Sequence, residues 1–353
     1  MLGVDPRTFK VVWTIFLFGL LIATVYAVRE TLILLAVAIF FAYMLAPLVN
    51  LVERITPKRR GIALAIVYVL LVGGLVTAGV TLGSQIADEA TSFAGHLPGL
   101  VKQSTLQTFP LPDWLEPLRA KIITVFQHEA AQLQASIVPF LQHASGQIVS
   151  GITFLVLIVL VPILSFFLLK DAREINAFLV QILGAEGDQT LIRQILDDID
   201  VLLSKYIRAL VLLSFIAFAA WGLFLSIMHA PYQLLLAGLS GALEFLPGIG
   251  PAISLALLLI VCGISGFTGG LLWIVVFWVG LRLFQDYVVN PLLMSAGVQL
   301  HPLLVLLAIL AGGHIGGVPG LFFSVPVMAI LKVIFIRSRE AQLREALAHR
   351  QTA

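Results

Sequence analysis

The sequence predicts an all-α fold, that of a polytopic helical membrane protein, and three observations predict it. Of its 353 residues, 60% are hydrophobic and only 11% charged, whereas a soluble domain carries about a quarter of its residues as Asp, Glu, Lys or Arg. Several nearly uncharged apolar stretches reach the roughly 18 to 20 residues that a helix needs to cross a hydrocarbon core of about 30 Å. Glycine and proline also gather at two places, 247–251 and 312–320, where a plain span would carry Leu or Ile.

The remaining composition excludes several function classes. A net charge of +2, with basic residues scattered through apolar sequence, lacks the clustered Lys and Arg of a nucleic-acid footprint. The single cysteine, Cys262, sits in an apolar run, with neither a disulfide partner nor neighbouring Cys or His for a metal. No nucleophile elbow, phosphate-binding glycine loop or zinc-ligand spacing occurs, so no enzymatic activity and no cofactor is expected.

The elements follow in order. Spans one and two, 11–28 and 31–49, are separated only by Arg29 and Glu30 and read as a tight helical hairpin. The first lacks a small-residue cleavage site and reads as a retained helix. Pro47 marks the end of the pair. Span three covers 61–83, and the loop before it holds Arg54, Lys58, Arg59 and Arg60, which marks it as cytoplasmic. Residues 84–147 contain only three basic residues, Lys102, Arg119 and Lys121, and fall outside by parity. Their second half, 116–142, has helical apolar spacing interrupted by glutamines and reads as an amphipathic surface helix. His128 and His143 lack metal-ligand spacing to a carboxylate.

Span four, 148–169, returns the chain inside at Lys170-Asp171. From Asp188, a plausible N-cap, Ile192, Ile195, Leu196, Ile199, Leu202, Leu203 and Tyr206 form one apolar stripe. This helix is expected to run unbroken into span five, 207–228, and its stripe requires a partner in this chain or in another copy.

The two interrupted segments carry the chemistry. The first opens at Pro231 and contains Glu244, Pro247, Gly248, Gly250 and Pro251; the second opens at Pro302 and contains Gly312, Gly313, His314, Gly316, Gly317, Pro319 and Gly320. Unwound backbone at membrane depth is tolerated only where protein or a water-filled cavity satisfies it, so interruptions at corresponding positions point to a transport site. The alternative is a pair of tight turns that serve packing alone. Ionisable groups within spans are costly and are functional candidates by default. Glu244 stands at the lip of the first break. Arg282 and Asp286, at i,i+4 in the span of 270–290, share a helical face with ion-pair geometry, and Gln285, Asn290 and Pro291 extend that polar stretch. These groups read either as the lining of a polar cavity or as a structural ion pair that keeps helices in register. His314 stands in the second glycine-rich break and reads as a proton carrier or as a hydrogen-bonding plug.

The order and spacing of several motifs resemble the autoinducer-2 exporter family, a PerM-like permease family of bacterial multi-pass membrane proteins. Phe40 to Val49, Phe166 to Asp171, Pro231-Tyr232 through Pro251, Asn290-Pro291, and His301-Pro302 through Gly320 and Pro326 carry the resemblance. It implies about eight transmembrane helices with both termini cytoplasmic, a large extracytoplasmic segment after span three, and a homo-oligomer. It also implies export of autoinducer-2, a quorum-sensing signal, in some members and sodium/proton antiport in others. After Tyr206-Ile207-Arg208 the family tends to carry Gly-Gln, where this chain has Ala209-Leu210.

The chain is therefore expected to divide into an N-terminal three-span bundle (1–83), an extracytoplasmic amphipathic segment (84–147), span four with a cytoplasmic helical segment (148–206), a transport core with broken helices (207–336) and a basic cytoplasmic tail (337–353). The expected partners are the lipid bilayer, a small solute, sodium or protons, and further copies of the chain. The leading reading is a secondary transporter or facilitator in the bacterial inner membrane. A sodium (or lithium)/proton antiporter and a non-transporting membrane scaffold are the alternatives.

Overall fold

The computed structural model describes residues 6–56, 60–100, 152–184, 189–246, 249–289, 291 and 301–352. Among them the chain is helical with no strand: α1 (Pro6–Ala27), α2 (Arg29–Ile55), α3 (Arg60–Leu100), α4 (Ile152–Lys170), α5 (Ala172–Leu183), α6 (Gln189–Ile227), α7 (Gln233–Leu243), α8 (Gly250–Ile264), α9 (Leu271–Phe284) and α10 (Pro302–Thr352). The 116–142 stretch, His128, His143 and Asp188 lie outside the described residues. Among the described residues five helical stretches are by length and composition apolar enough to cross a membrane, namely Lys10–Ala27, Arg29–Ile55, Gln189–Ile227, Leu271–Val289 and Leu303–Arg344, the last of them folded at Gly317. The large apolar side chains left exposed along them, such as Leu17 and Phe18 on α1 and Trp273 and Val276 on α9, are the surface that a bilayer covers. The protein is a multi-pass membrane protein.

Two of the joints differ from the sequence reading. Spans one and two do not fold back as a hairpin. α1 gives way to α2 across a single turn residue, Val28 (φ −99°, ψ 13°), whose N–H bonds the Thr24 carbonyl at the end of α1 and whose carbonyl accepts from the N–H of Leu32 at the start of α2, both at 3.0 Å. Arg29 and Glu30 are competent helix formers and make the first turn of α2, so no loop separates the spans. The Arg29 guanidinium instead lies over the Tyr26 ring at 4.4 Å. Span three likewise passes residue 83 without interruption, and α3 continues to Leu100.

The described helices pack around three apolar cores. Ala42, Leu45 and Val49 of α2 meet Ala63, Leu64 and Val67 of α3 and Leu169 of α4. That bundle is tied by the Arg60 guanidinium, which donates to the Leu169 carbonyl at 2.9 Å, and by Tyr68 and Ser165, whose hydroxyls lie 2.6 Å apart. A second core joins Ala217, Trp221 and Leu225 of α6 to Leu236 and Ala237 of α7, Leu258 and Cys262 of α8 and Ile274 of α9. The third sets Leu202, Leu203 and Ile207 of α6 against Ala329 and Val333 of α10, with Phe40 and Tyr43 of α2 alongside.

α6 is one unbroken helix of 39 residues, roughly 58 Å long at 1.5 Å per residue, as the sequence led one to expect. The apolar stripe on its first half finds its partner within the chain. Leu202 and Leu203 close against α10; the Tyr43 hydroxyl donates to Asp200 Oδ1 at 2.8 Å and Arg337 Nε to Asp198 Oδ2 at 2.6 Å.

Candidate functional site

The first interrupted segment is a helical hairpin. α7 has 11 residues and α8 has 15, roughly 16 and 22 Å long, so each arm alone is shorter than a hydrocarbon core of about 30 Å. Small residues let the arms touch. A methyl on Gly250 would run into the Leu243 carbonyl, so only glycine fits where the second arm starts. One level further along, the Ser254 hydroxyl donates to Ser240 Oγ at 2.7 Å, and Ser240 donates to the Leu236 carbonyl at 2.8 Å. Both serines are nearly inaccessible, at 3% and 4%, so this chain satisfies hydroxyls that would be costly if left unpaired. Pro251 opens α8, where its missing N–H costs nothing, and its carbonyl accepts from Trp278 Nε1 of α9 at 2.9 Å. The hairpin lies along α6, with Gly241 against Ser214 and Phe218 and its carbonyl capped by the Ser214 hydroxyl at 2.7 Å.

The second segment, α10, is also a hairpin. Gly317 has φ 58° and ψ −139°, a conformation that glycine reaches without strain, and the chain reverses there between arms 302–316 and 318–352. Gly312 and Gly320 then meet backbone to backbone, and a methyl on either would enter the other's carbonyl. In a continuous helix eight residues would separate them by roughly 12 Å. The Ser324 hydroxyl is satisfied locally by the Leu321 carbonyl at 2.7 Å.

The hairpins approach from opposite ends of α6. The root of the first is at the end of α6, where the Ser226 hydroxyl donates to Gln233 Oε1 at 3.0 Å. The returning arm of the second runs past Ile207 to the ion pair of Arg337 with Asp198. Asp198 and Ser226 are roughly 42 Å apart along the helix. Their tips meet: Phe245 packs on Phe322 with ring centroids 5.3 Å apart, and Phe40 of α2 contacts Phe322 at 4.8 Å and Phe245 at 6.0 Å.

Beside this aromatic cluster lies a polar group. Glu244 closes α7 and is 9% exposed. A carboxylate at the C-terminal, negative end of a helix dipole is unfavourable, so its placement requires compensation from elsewhere. Gln285 supplies it: its amide is buried at 1% exposure and donates to Glu244 Oε1 at 3.3 Å. Gln285 and Asp286 fall in a π-helical turn, Gln285–Val289, where one extra residue per turn re-aims side chains; such turns recur at functional sites. Arg282 Nε pairs with Asp286 Oδ2 at 2.9 Å on the same helix.

The structure thus gathers Glu244, Gln285, Arg282 and Asp286, and uses Gly250, Pro251, Gly312, Gly313, Gly317 and Gly320 to build the two hairpins. Gly313 packs directly on Leu321. Pro247, Gly248 and Asn290 lie outside the described residues. His314, Pro319 and Pro291 are exposed, and Gly316 has open space where a Cβ would project. Among the described residues no group of three or more His, Cys, Asp or Glu is placed to hold a metal.

Sequence reasoning missed Phe40, Phe245 and Phe322, since phenylalanines in apolar helices carry no distinguishing pattern. It also missed Ser214, Ser240 and Ser254, whose only signal is a hydroxyl amid apolar residues. Ala209 and Leu210 are buried, and among the described residues the buried Tyr206 hydroxyl one turn earlier has no hydrogen-bond partner.

Broken helices that close on a buried polar group are a feature of membrane transporters. The chain belongs to the AI-2E transporter family, whose model it matches over residues 13–340. It is 24% identical over 333 residues to "Putative transport protein YrrI" of Bacillus subtilis, an alignment spanning 92% of each chain. It is 26% identical over 332 residues to "Putative permease PerM" of Escherichia coli K12, spanning 88% of each.

Proposed function

We propose that the chain is a secondary transporter or facilitator that moves a small solute across the bacterial inner membrane between its two hairpins. The observation that carries this reading is the meeting of the hairpin tips at Phe245 and Phe322, next to the buried Glu244 and Gln285. Two hairpins, rooted at opposite ends of one long helix, serve as two gates. Each admits solute from its own side, and the aromatic cluster blocks a continuous pore while both are shut. The basic stretch Arg54 to Arg60 and the basic tail with Lys332, Arg337, Arg339 and Arg344 support cytoplasmic placement of that loop and of the C-terminal tail. On this topology the first hairpin enters from outside and the second from inside.

For a neutral, hydroxyl-rich solute such as autoinducer-2, the hydrogen-bonding groups are Gln285, the Glu244 carboxyl group and the carbonyls freed at the hairpin turns. A second reading, sodium (or lithium)/proton antiport, is favoured by one observation, the nearly inaccessible carboxyl group of Glu244 between two charged neighbours. With no nucleotide-binding motif to supply energy, either cycle runs on an ion gradient or on the solute's own gradient. The test is flux in proteoliposomes for wild type and Glu244→Gln, following autoinducer-2 efflux and proton movement triggered by sodium or lithium. Solute flux retained in the variant supports the facilitator, and cation-triggered proton movement that the variant abolishes supports the antiporter. Absence of both fluxes in the wild type supports the scaffold reading instead.

A further inference from the structure

The part of α3 beyond residue 83 lies along the first hairpin as a strut. Glu89 Oε2 accepts a hydrogen bond from the backbone N–H of Leu235 at 2.8 Å. The Phe93 ring meets Tyr232 edge-on at 5.1 Å, and Ile86 lies opposite Gly238. Residues 86, 89 and 93 of α3 therefore face 238, 235 and 232 of α7 in antiparallel order. Leu235 is in the first turn of α7, where backbone N–H groups have no helical acceptor and the helix dipole attracts a carboxylate.

The joint that leads into α7 is strained. His229 and Tyr232 have φ of 51° and 54°, a left-handed conformation that side-chain-bearing residues hold only where surrounding contacts enforce it. Phe93 packs on Tyr232 from a different helix, and Glu89 holds the first turn of α7 just beyond it. α7 itself presents no acidic side chain to its own first turn.

We propose that Glu89 is a positioning residue for transport, a latch that holds the first hairpin shut from the extracytoplasmic face while touching neither solute nor the Glu244 group. Releasing it lets α7 and α8 swing on the 229–232 joint and exposes the π-helical turn after α9 that carries Gln285. The consequence for flux rests on the transport reading above, whereas the readout of hairpin position does not.

The test uses the full chain in proteoliposomes. Cys262 is the only cysteine, so Cys262→Ala gives a background in which Gln285→Cys reports alone, and a membrane-impermeant methanethiosulfonate added outside reads its exposure. Adding Glu89→Ala should raise the modification rate about tenfold, the equilibrium equivalent of losing one hydrogen bond to a charged acceptor. Glu89→Gln keeps an acceptor oxygen but loses the charge, so its rate should fall between those of the parent and Glu89→Ala. Phe93→Ala loosens the same strut one turn further along and should also raise the rate, which keeps the test available if Glu89→Ala does not fold.

A reporter at Ile274→Cys, in the apolar core, should not respond to any of these changes. Parent-like rates at position 285 in both Glu89→Ala and Phe93→Ala would overturn the latch, as would an equal rise at position 274, which signals general loosening. Faster labelling at 285 alone, in a protein whose wild type moves no solute, would uphold the latch and remove the transport reading.

Discussion

Phe322→Ala should convert a closed path into a leak. Phe322 lies between Phe40 at 4.8 Å and Phe245 at 5.3 Å, and these are the ring contacts that join the second hairpin to α2 and to the first hairpin. Aromatic pairs are worth about 0.5–1.5 kcal/mol each beyond the area they bury. Losing two removes about 1–3 kcal/mol of preference for the closed arrangement, and the open population rises by roughly 5- to 150-fold. Its contact with Phe323 at 4.8 Å lies within one helix and does not enter that sum. The assay is passive release of a trapped small solute, with sodium release in parallel, from proteoliposomes without any imposed gradient of a coupling ion. Phe322→Leu retains apolar bulk and should leak less than Phe322→Ala. Release at the wild-type rate from a Phe322→Ala protein of unchanged thermal midpoint would refute the plug, because the contact would then not hold the tips together.

Gly312→Ala should lower the thermal midpoint by several degrees, since its methyl meets the Gly320 backbone and overpacking costs about 1–3 kcal/mol; Gly316→Ala, with open space around it, should be tolerated, and detergent-solubilised melts compare the two. Ser254→Ala removes the donor to Ser240 but leaves Ser240 with its own acceptor, so a loss of about 1 kcal/mol is expected in the same melts. Arg337→Ala breaks the pair with Asp198, but both side chains are about one-third exposed. The loss should stay below about 1 kcal/mol and shrink at high salt, which melts across ionic strength will show.

The parts of this architecture that were legible in the sequence are those where physics acts on composition. Apolar runs of span length, the long α6 with its stripe, and the glycine-proline breaks all follow from what a bilayer demands of backbone and side chains. The i,i+4 pairing of Arg282 with Asp286 is local helical geometry and needs no tertiary knowledge. The joints were harder. Arg29 and Glu30 resemble a loop by charge but not by helix propensity, and the apolarity that marks span three ends near residue 83 while the helix itself runs on to Leu100. Least legible were the encounters across the fold. Glu89 lies 146 residues from the amide it holds, and Phe245 meets Phe322 only because two reversals bring them together. Without an alignment of related sequences, one chain carries no record of such pairings.

α6 touches the roots of both hairpins, and its length makes it a lever arm. Pivoting about a point midway between Asp198 and Ser226, a tilt of about 5° would carry those positions roughly 2 Å in opposite directions. A rotation too slight to disturb the packing at the fulcrum would thus loosen one end of the molecule as it tightened the other. Mutual exclusion of the two openings would then be a matter of leverage, with no messenger required between them.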